Sequence, residues 1–231
     1  MLKIEKTVLP SPEQWEIVIE GMRNPMNSWD LMDSANTLMN EADVELGYEP
    51  IYEFILGTND RKLMTSLNKG GTEHSKYRRM IPVWVTVNAP LYWWKEADRY
   101  RFGVEMNSCS TMHKIHAKEF TLDDFSHDHL IGSVVGFDLY PPKQDLRNII
   151  YTLNECRKKF LETKEKVWWW QLIQLLPSSY NQKRTLMVNY EVLAKMYRER
   201  KNHKLDEWHT FCDWIKSLPY SELITMEEDN A

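Results

Sequence analysis

The chain has 231 residues, of which 42% are hydrophobic and 27% are charged, and its formal net charge is -5. This length allows a sizeable core, in one large domain or two small ones, and the negative charge argues against a protein that coats nucleic acid. Ten tryptophans and twelve methionines against only eight glycines indicate a helix-rich protein.

The N-terminal segment begins with a strand and a helix. Apolar and polar side chains alternate over Leu2–Val8, which predicts a half-buried strand. Ser11, Pro12 and Gln14 have the spacing of a capping box with a proline in the first turn. We therefore predict a helix that starts here and runs to about Gly21.

Three further segments follow before the first glycine-rich loop. The apolar spacing over Trp29–Met39 predicts a helix, whereas Ile51–Leu56 fits a short helix and a strand equally well. Thr58–Asp60 has the residue types that cap a helix. That helix should end at Asn68–Gly71, which is the strongest loop signal in the chain.

The middle of the chain contains a strand that leads directly into a helix. Val83, Val85 and Val87 alternate with other residues, which predicts a strand over Pro82–Val87. A helix is expected to begin at Pro90, because proline is well accommodated in a first helical turn.

The C-terminal half is dominated by helical spacing. Residues 131–140 are apolar, and one long helix is predicted over Lys143–Trp170. Further helices are predicted over Thr185–Arg200 and over Leu205–Ile215. Residues 226–231 form an acidic tail that we expect to be disordered.

The spacing of the cysteines and the length of the apolar runs indicate the cellular compartment in which the protein is expected. Cys109, Cys156 and Cys212 are widely separated and include no CxxC pair. This pattern argues against a disulfide framework or a zinc ribbon and fits a reducing environment. The N-terminus lacks a signal-peptide core, and no apolar run approaches the roughly 20 residues that span a bilayer. We predict a cytoplasmic protein that binds neither membranes nor nucleic-acid polymers.

The stretch from Ala89 to Lys114 has the most distinctive composition. It interleaves cations with flat rings: Lys95, Arg99 and Arg101 with Tyr92, Trp93, Trp94, Tyr100 and Phe102. Helical character ends at Gly103, and hydroxyl and amide residues follow over Asn107–Thr111. Arginine binds phosphate with paired hydrogen bonds, and aromatic faces stack on planar ligands. The stretch fits a nucleotide or flavin site, and it also fits a buried aromatic helix with arginines that reach solvent.

Four other clusters carry chemistry-bearing side chains. The histidines at positions 113, 116, 127 and 129 are of a residue type that binds metal ions, but histidines are equally compatible with a solvated loop. We therefore predict no metal site. Cys109 fits a nucleophile or a packed side chain. The basic run Lys76–Arg79 fits a phosphate contact or a solvated helix face. Trp168–Trp170 fits a stacking platform, a subunit interface or core packing.

Residues 99–113 resemble the signature of the flavin-dependent thymidylate synthases, Arg-His-Arg-x-x-Ser-x-Asn-Glu-x-Ser-x-Arg-Tyr. Arg99 and Arg101 match its arginines, and Asn107 and Ser110 match when one residue is inserted after Arg101. Upstream, His74 is similar to the family's His-Glu-Ser/Thr element.

The resemblance continues downstream and covers about residues 74–216. Leu176–Pro177 is similar to the family's Leu-Pro turn, and Asn189–Tyr190 begins a segment similar to its long helix. Arg200 resembles the nucleotide-binding arginine at the end of that helix. His203 and Asp206–Trp208 resemble the segment that follows.

Several signature positions differ from the family pattern. Tyr100 stands at the central His position, Ser108 at the Glu position and Met112 at the last Arg position, while Glu96 replaces a preceding glutamine. The family's Glu and last Arg help to hold the deoxyuridine nucleotide. These differences leave open whether the chain is an active enzyme.

The resemblance implies an α+β fold in which an antiparallel sheet packs with long helices, in a single domain over residues 1–225. It also implies a homotetramer that binds FAD and methylates dUMP at C5. Methylenetetrahydrofolate and NADPH would be the co-substrates, and the protein would contribute positioning and electrostatics.

The resemblance also implies roles for individual residues. The residues expected to bind the cofactor are His74, Arg99, Tyr100, Arg101 and Asn189. The residues expected to bind the nucleotide are Glu96, Asn107, Ser108, Ser110 and Arg200, with catalytic roles for Arg200 and Ser110. Arg200 would stabilise negative charge on the uracil ring.

Two alternatives remain open. The altered signature positions fit a nucleotide-binding protein that has lost catalysis. The second alternative is an enzyme that acts on a pyrimidine nucleotide by a different chemistry, in which the Cys109 thiol would add to C6 of the pyrimidine ring.

Overall fold

The computed structural model describes residues 1–133 and 141–226, and these contain six strands and nine helices. The strands are β1 (Lys3–Val8), β2 (Ala35–Leu38), β3 (Tyr52–Ile55), β4 (Pro82–Pro90), β5 (Val104–Ser108) and β6 (Asn181–Asn189). The helices are α1 (Pro12–Arg23), α2 (Glu41–Glu45), α3 (Thr58–Lys69), α4 (Leu91–Ala97), α5 (Pro142–Thr163), α6 (Lys166–Leu175), α7 (Tyr190–Arg200), α8 (Asp206–Lys216) and α9 (Glu222–Thr225).

The larger sheet has the strand order β1-β4-β6-β5, and β2 pairs with β3 in a separate antiparallel hairpin. The predicted α+β class, with an antiparallel sheet and several helices, is confirmed. None of the helices in the described ranges is both long and apolar enough to cross a bilayer.

The chain divides into two compact units. Unit 1 contains Met1–Glu5, Thr86–Arg99 and Met106–Thr185, and unit 2 contains Lys6–Val85, Tyr100–Glu105 and the chain from Leu186 onwards. Each strand of the larger sheet contributes residues to both units.

Unit 1 is built around the α5–α6 helical hairpin. Leu153 on α5 and Leu172 on α6 are fully buried in one apolar cluster. Lys164 separates the two helices in the left-handed conformation with φ of 60°. The single helix predicted over Lys143–Trp170 is therefore wrong, because the chain turns back to bury both faces in the same core.

Unit 2 has an aromatic core and a buried ion pair. Trp15 on α1 stacks on Phe54 of β3 with ring centroids 5.6 Å apart, and its edge contacts Tyr190 and Tyr220. Near the end of α1, Arg23 forms an ion pair with Asp60 on α3, and both side chains are buried.

Local predictions succeeded where the sequence pattern was strong. In the capping box of α1, the Ser11 hydroxyl accepts from the Gln14 backbone N–H at 3.3 Å, and Gln14 accepts from the Ser11 N–H at 2.9 Å. Val83, Val85 and Val87 are buried on β4, as predicted, and α4 follows directly after Pro90.

Two predicted helices are wrong at least in part. Trp29–Met39 contains a short 3-10 turn and then β2, and Thr185–Asn189 belongs to β6 before α7 begins at Tyr190. Both segments pair with other strands, and that pairing overrides their helical spacing. Ile51–Leu56, for which helix and strand were equally compatible, contains strand β3.

The N-terminus of α3 is capped from a distant residue. Gly57 occupies the cap position and provides no side chain. The Asp33 carboxylate instead accepts from the backbone N–H groups of Asn59 and Asp60, at 2.8 and 3.0 Å. The predicted apolar segment 131–140 and the acidic tail 226–231 lie largely outside the described residues.

Candidate functional site

The signature segment leaves α4 at Asp98 and enters β5 through a turn at Gly103. Gly103 has φ of +77°, a backbone conformation that side chains other than glycine rarely adopt. A Cβ atom at this position would lie 2.9 Å from the Asn189 side-chain nitrogen and 3.0 Å from Val192. The turn therefore needs glycine for both its backbone and its packing.

Asn189 supports this turn and also starts α7. Its side-chain oxygen accepts from the Val192 backbone N–H at 3.0 Å, so Asn189 is the N-cap of α7. The other end of the same amide lies against Gly103. Asn189 therefore has a structural role, and its expected contact with the cofactor stays a prediction.

Tyr100 and Arg200 lie together at the other end of α7. Arg200 Nε donates to the Tyr100 hydroxyl at 2.9 Å, and that hydroxyl donates to Glu199 Oε2 at 2.8 Å. Burial raises the pKa of Tyr100, and the hydrogen bond to Glu199 acts in the same direction. The hydroxyl is therefore protonated at neutral pH and can serve as acceptor and donor at once.

The Arg200 guanidinium also lies over two aromatic rings. Its carbon is 4.8 Å from the Trp208 ring centroid and 5.7 Å from that of Tyr100. Trp208 is fully buried, and its ring meets Tyr100 edge-on. Stacking and a hydrogen bond together hold the guanidinium in one place, which suits an arginine that must meet an anion.

An open cleft of 660 Å³ borders the C-terminal end of α7 and one face of α8. Its lining includes Lys201, His203, His209 and Lys216. The His203 Nδ1 atom accepts from the Leu205 backbone N–H at 3.1 Å. The cleft is within the size range of small-molecule sites, and most of its charged groups are basic or can become so.

Arg184 on β6 organises the part of the signature segment in unit 1. Its Nη1 atom pairs with Asp98 at 2.6 Å, and its Nε atom donates to the Gln182 side chain at 2.9 Å. The guanidinium lies 4.3 Å from the Trp94 ring centroid. Sequence reasoning missed Arg184, because the helix predicted from Thr185 hid the alternation of a strand in this segment.

The remaining signature residues are mostly exposed. Arg99, Arg101, Asn107 and Ser108 are exposed, and Glu96 on α4 is half-buried. The exposed Ser110 hydroxyl accepts from the backbone N–H groups of Met112 and His113, at 3.3 and 2.9 Å. Among the expected site residues, Tyr100 and Arg200 are in direct side-chain contact.

His74 and the basic run Lys76–Arg79 differ in burial and in their contacts. His74 is exposed in the turn after α3. Arg78 is buried, pairs with Glu191 at 2.5 Å and donates to the Leu223 carbonyl at 3.2 Å. Arg78 therefore binds parts of its own unit rather than a phosphate, while Lys76 and Arg79 are exposed.

The histidine cluster shows packing contacts. The His116 ring meets Phe160 edge-on at 4.8 Å, and His127 Nδ1 lies 2.8 Å from the Phe125 carbonyl. Within residues 1–133 and 141–226, no group of three or more His, Cys, Asp or Glu is arranged to hold a metal ion.

The cysteines fall into two classes. Cys109 is exposed, and its backbone N–H donates to the Lys183 carbonyl at 2.9 Å. Cys156 and Cys212 are buried, and burial raises the pKa of both thiols, to about 11 for Cys212. Neither buried thiol is therefore suited to act as a nucleophile.

The three consecutive tryptophans on α6 have separate surroundings. Trp168 packs against the core of unit 1, and Trp169 Nε1 donates to the Met112 carbonyl at 3.0 Å. Trp170 is exposed, with Lys166 5.6 Å from its ring centroid. Trp169 therefore anchors the end of the signature segment.

Two solved structures match nearly the whole chain. Both are Thymidylate Synthase X (ThyX) from Helicobacter pylori with FAD and dUMP, with TM-scores of 0.60 and 0.61. Each alignment covers 97% of this chain and 97% or 98% of the other, at 15% and 14% sequence identity. The chain has the ThyX fold.

The likeness to ThyX lies in the fold rather than in close sequence similarity. No family model matches the sequence, and no curated protein matches it.

Proposed function

We propose that this ThyX-fold chain binds FAD and a deoxyuridine nucleotide and methylates dUMP at C5, with methylenetetrahydrofolate as carbon donor and NADPH as reductant. The arrangement of Arg200 carries the proposal. This arginine is held by Tyr100 and Trp208 at the position where the resemblance expects the nucleotide-binding arginine. The matching ThyX structures contain FAD and dUMP, which supports this choice of ligands.

The donor groups of the signature segment fit a large anion with a flat ring. Arg99, Arg101 and His74 are exposed, and in this proposal each contributes to binding of the flavin nucleotide. Tyr100 is buried and already hydrogen-bonded on both sides, so we assign it an indirect role through Arg200. When bound, the reduced flavin would supply a hydride.

In this proposal the chain binds and orients the nucleotide. Arg200 offsets negative charge that develops on the uracil ring as C5 becomes nucleophilic, and its fixed position avoids reorganisation at that moment. Ser110 accepts two backbone N–H groups, so its own hydrogen is the group that we assign to the substrate. Asn107, Ser108 and Glu96 would complete the polar contacts.

The test compares two arginines of the same helix. Arg200→Lys removes the forked guanidinium from its stacked position, whereas Arg198→Lys makes the same change at an exposed residue two positions earlier. We expect Arg200→Lys to weaken dUMP binding by about tenfold or more in calorimetry, a loss of about 1.4 kcal/mol. Arg198→Lys should bind like the wild type.

A spectrum and a release assay test the remaining parts. The purified protein should show flavin absorbance bands, or acquire them with added FAD, and should release tritium from dUMP labelled at C5. A protein that stays colourless in excess FAD and releases no tritium would contradict the proposed reaction.

The second candidate is a nucleotide-binding protein without turnover. Ser108 and Met112 stand where the family has a Glu and an Arg that hold the nucleotide, and the Met112 carbonyl instead anchors Trp169. In this case dUMP would stabilise the protein in thermal denaturation without flavin and without tritium release. If turnover occurs and Cys109→Ser abolishes it, chemistry through that exposed thiol is favoured instead.

We also propose that the chain forms a homotetramer in the cytoplasm and that residues 1–225 act as one functional domain. The exposed Trp170 on α6 is a candidate for the contact between subunits. Sedimentation analysis of the wild type and of Trp170→Ser tests this arrangement.

A further inference from the structure

The β2–β3 hairpin of unit 2 has one covered face and one uncovered face. Phe54 on β3 belongs to the covered face, where it stacks on Trp15. On the opposite face, Ala35 of β2 pairs with Ile55 of β3. The Met39 backbone N–H donates to the Ile51 carbonyl at 2.8 Å, so this pair extends the same face.

We call this uncovered side the outer face, defined by Ala35, Thr37, Met39, Ile51, Glu53 and Ile55. All six residues are exposed, and the three largest apolar side chains expose 54% (Met39), 60% (Ile51) and 46% (Ile55) of their surface. Large apolar side chains grouped on one exposed face are typical of an interaction site.

The surroundings of the outer face are acidic. Residues 24–60 contain eight acidic side chains and no Lys, Arg or His. Asp33 and Asp60 serve within the unit, as cap and as buried ion pair. The other six are exposed, and none forms a salt bridge within residues 1–133 and 141–226; they are Asp30, Glu41, Asp43, Glu45, Glu49 and Glu53.

This charge excludes several classes of partner. Phosphate-rich nucleic acid and anionic lipid surfaces would be repelled by six exposed carboxylates. A symmetric dimer through the outer face would place each acidic set against its own copy. A basic polypeptide would gain both from the apolar side chains and from the carboxylates around them.

The backbone of the hairpin suits an extended partner. Among the described residues each strand of this two-stranded sheet has a single neighbouring strand, so one edge of each has no strand paired with it there. An extended peptide that pairs with an edge gains main-chain hydrogen bonds, and its alternate side chains face the same side of the sheet.

We propose that the outer face of the β2–β3 hairpin binds an extended basic segment of another protein, in which aliphatic residues and Lys or Arg share the side that faces the hairpin. The aliphatic side chains pack on Met39, Ile51 and Ile55, while the cations meet Glu53 and the neighbouring carboxylates. This interaction is separate from the proposed nucleotide chemistry and does not require it.

The test uses a labelled synthetic lysine–leucine peptide with the repeat Leu-Ser-Lys-Ser, in which leucine and lysine share one side of the extended chain, measured by fluorescence anisotropy with the full chain. Ile51→Ser should weaken binding by about tenfold. Ile131→Ser is the matched control, because Ile131 is 58% exposed in unit 1 and undergoes the same chemical change. The Ile131→Ser variant should bind the peptide with the affinity of the wild type.

Charge reversal separates the proposed contact from general attraction to an acidic protein. Glu53→Lys should weaken binding of the lysine–leucine peptide and strengthen binding of a peptide with the repeat Leu-Ser-Glu-Ser. Both effects should shrink at high salt, because exposed charge pairs are screened.

Three results would overturn the proposal. The lysine–leucine peptide fails to bind the wild-type chain, or Ile51→Ser and Ile131→Ser bind it equally, or Ile51→Ser changes the oligomeric state in sedimentation without peptide. The last result would mean that another copy of this chain covers the outer face.

Discussion

Asp60→Asn is expected to destabilise unit 2 strongly, because this carboxylate serves four donors in a buried site. One oxygen accepts from Arg23 Nε at 2.6 Å. The other accepts from the Ser34 hydroxyl and backbone N–H, at 2.6 and 2.8 Å, and from the Asp33 N–H at 3.0 Å. Asp60 is 0% exposed and Arg23 is 3% exposed, so water cannot replace these contacts.

Asparagine keeps the shape of Asp60 but loses its charge and one acceptor. If the amide oxygen faces Arg23, the amide nitrogen faces two backbone N–H groups, and the reverse orientation leaves Arg23 without an acceptor. Removing one partner of a buried ion pair costs about 3–5 kcal/mol, and we expect Asp60→Asn to lower the free energy of unfolding by an amount in this range.

Urea denaturation followed by tryptophan fluorescence measures this loss. Asp33→Asn is the control, because Asp33 is exposed and its amide oxygen can still cap α3. That change should cost about 1 kcal/mol or less. A loss below about 1 kcal/mol for Asp60→Asn would refute the buried, charge-compensated arrangement.

Three further changes probe the turn, the β6 arginine and a histidine. Gly103→Ala should cost about 1–3 kcal/mol by thermal unfolding, since φ is +77° and the new Cβ would meet Asn189; Gly132→Ala, where the new Cβ would lie at an ordinary contact distance of 3.8 Å from Lys143, should cost much less. Arg184→Lys keeps the charge but loses the fork, and the free energy of unfolding measured in urea should fall by about 1–2 kcal/mol; a negligible cost for Arg184→Lys beside a clear cost for Arg184→Met would refute a geometric role. Burial, together with nearby lysines, lowers the pKa of His116. The unfolded chain then binds the proton more readily, so stability should fall as pH drops below about 6.5. His116→Gln should reduce that slope in urea titrations across pH, and an unchanged slope would count against this origin.

Patterns that act over a few residues predicted the local elements well. The capping box of Ser11 and the alternating valines of β4 each act within a short segment, and both are present as predicted. The strand-to-helix step into α4 follows from the position of Pro90 in the same way.

Elements whose state depends on pairing were predicted wrongly. Thr185–Asn189 has apolar residues at spacings that fit a helix, yet it lies in β6 between β4 and β5. The break at Lys164 likewise depends on the core that α5 and α6 share. Spacing along one segment contains no information about which neighbours will supply hydrogen bonds.

The amino-acid sequence alone was enough to indicate the α+β class and a resemblance to flavin-dependent thymidylate synthases. Only the tertiary structure revealed that Tyr100 holds Arg200, that Asp33 caps α3 and that Arg184 binds Asp98. These partners are 26 to 100 residues apart in sequence. Such contacts arise when distant segments bury their apolar faces together, so they become visible only once the chain has folded.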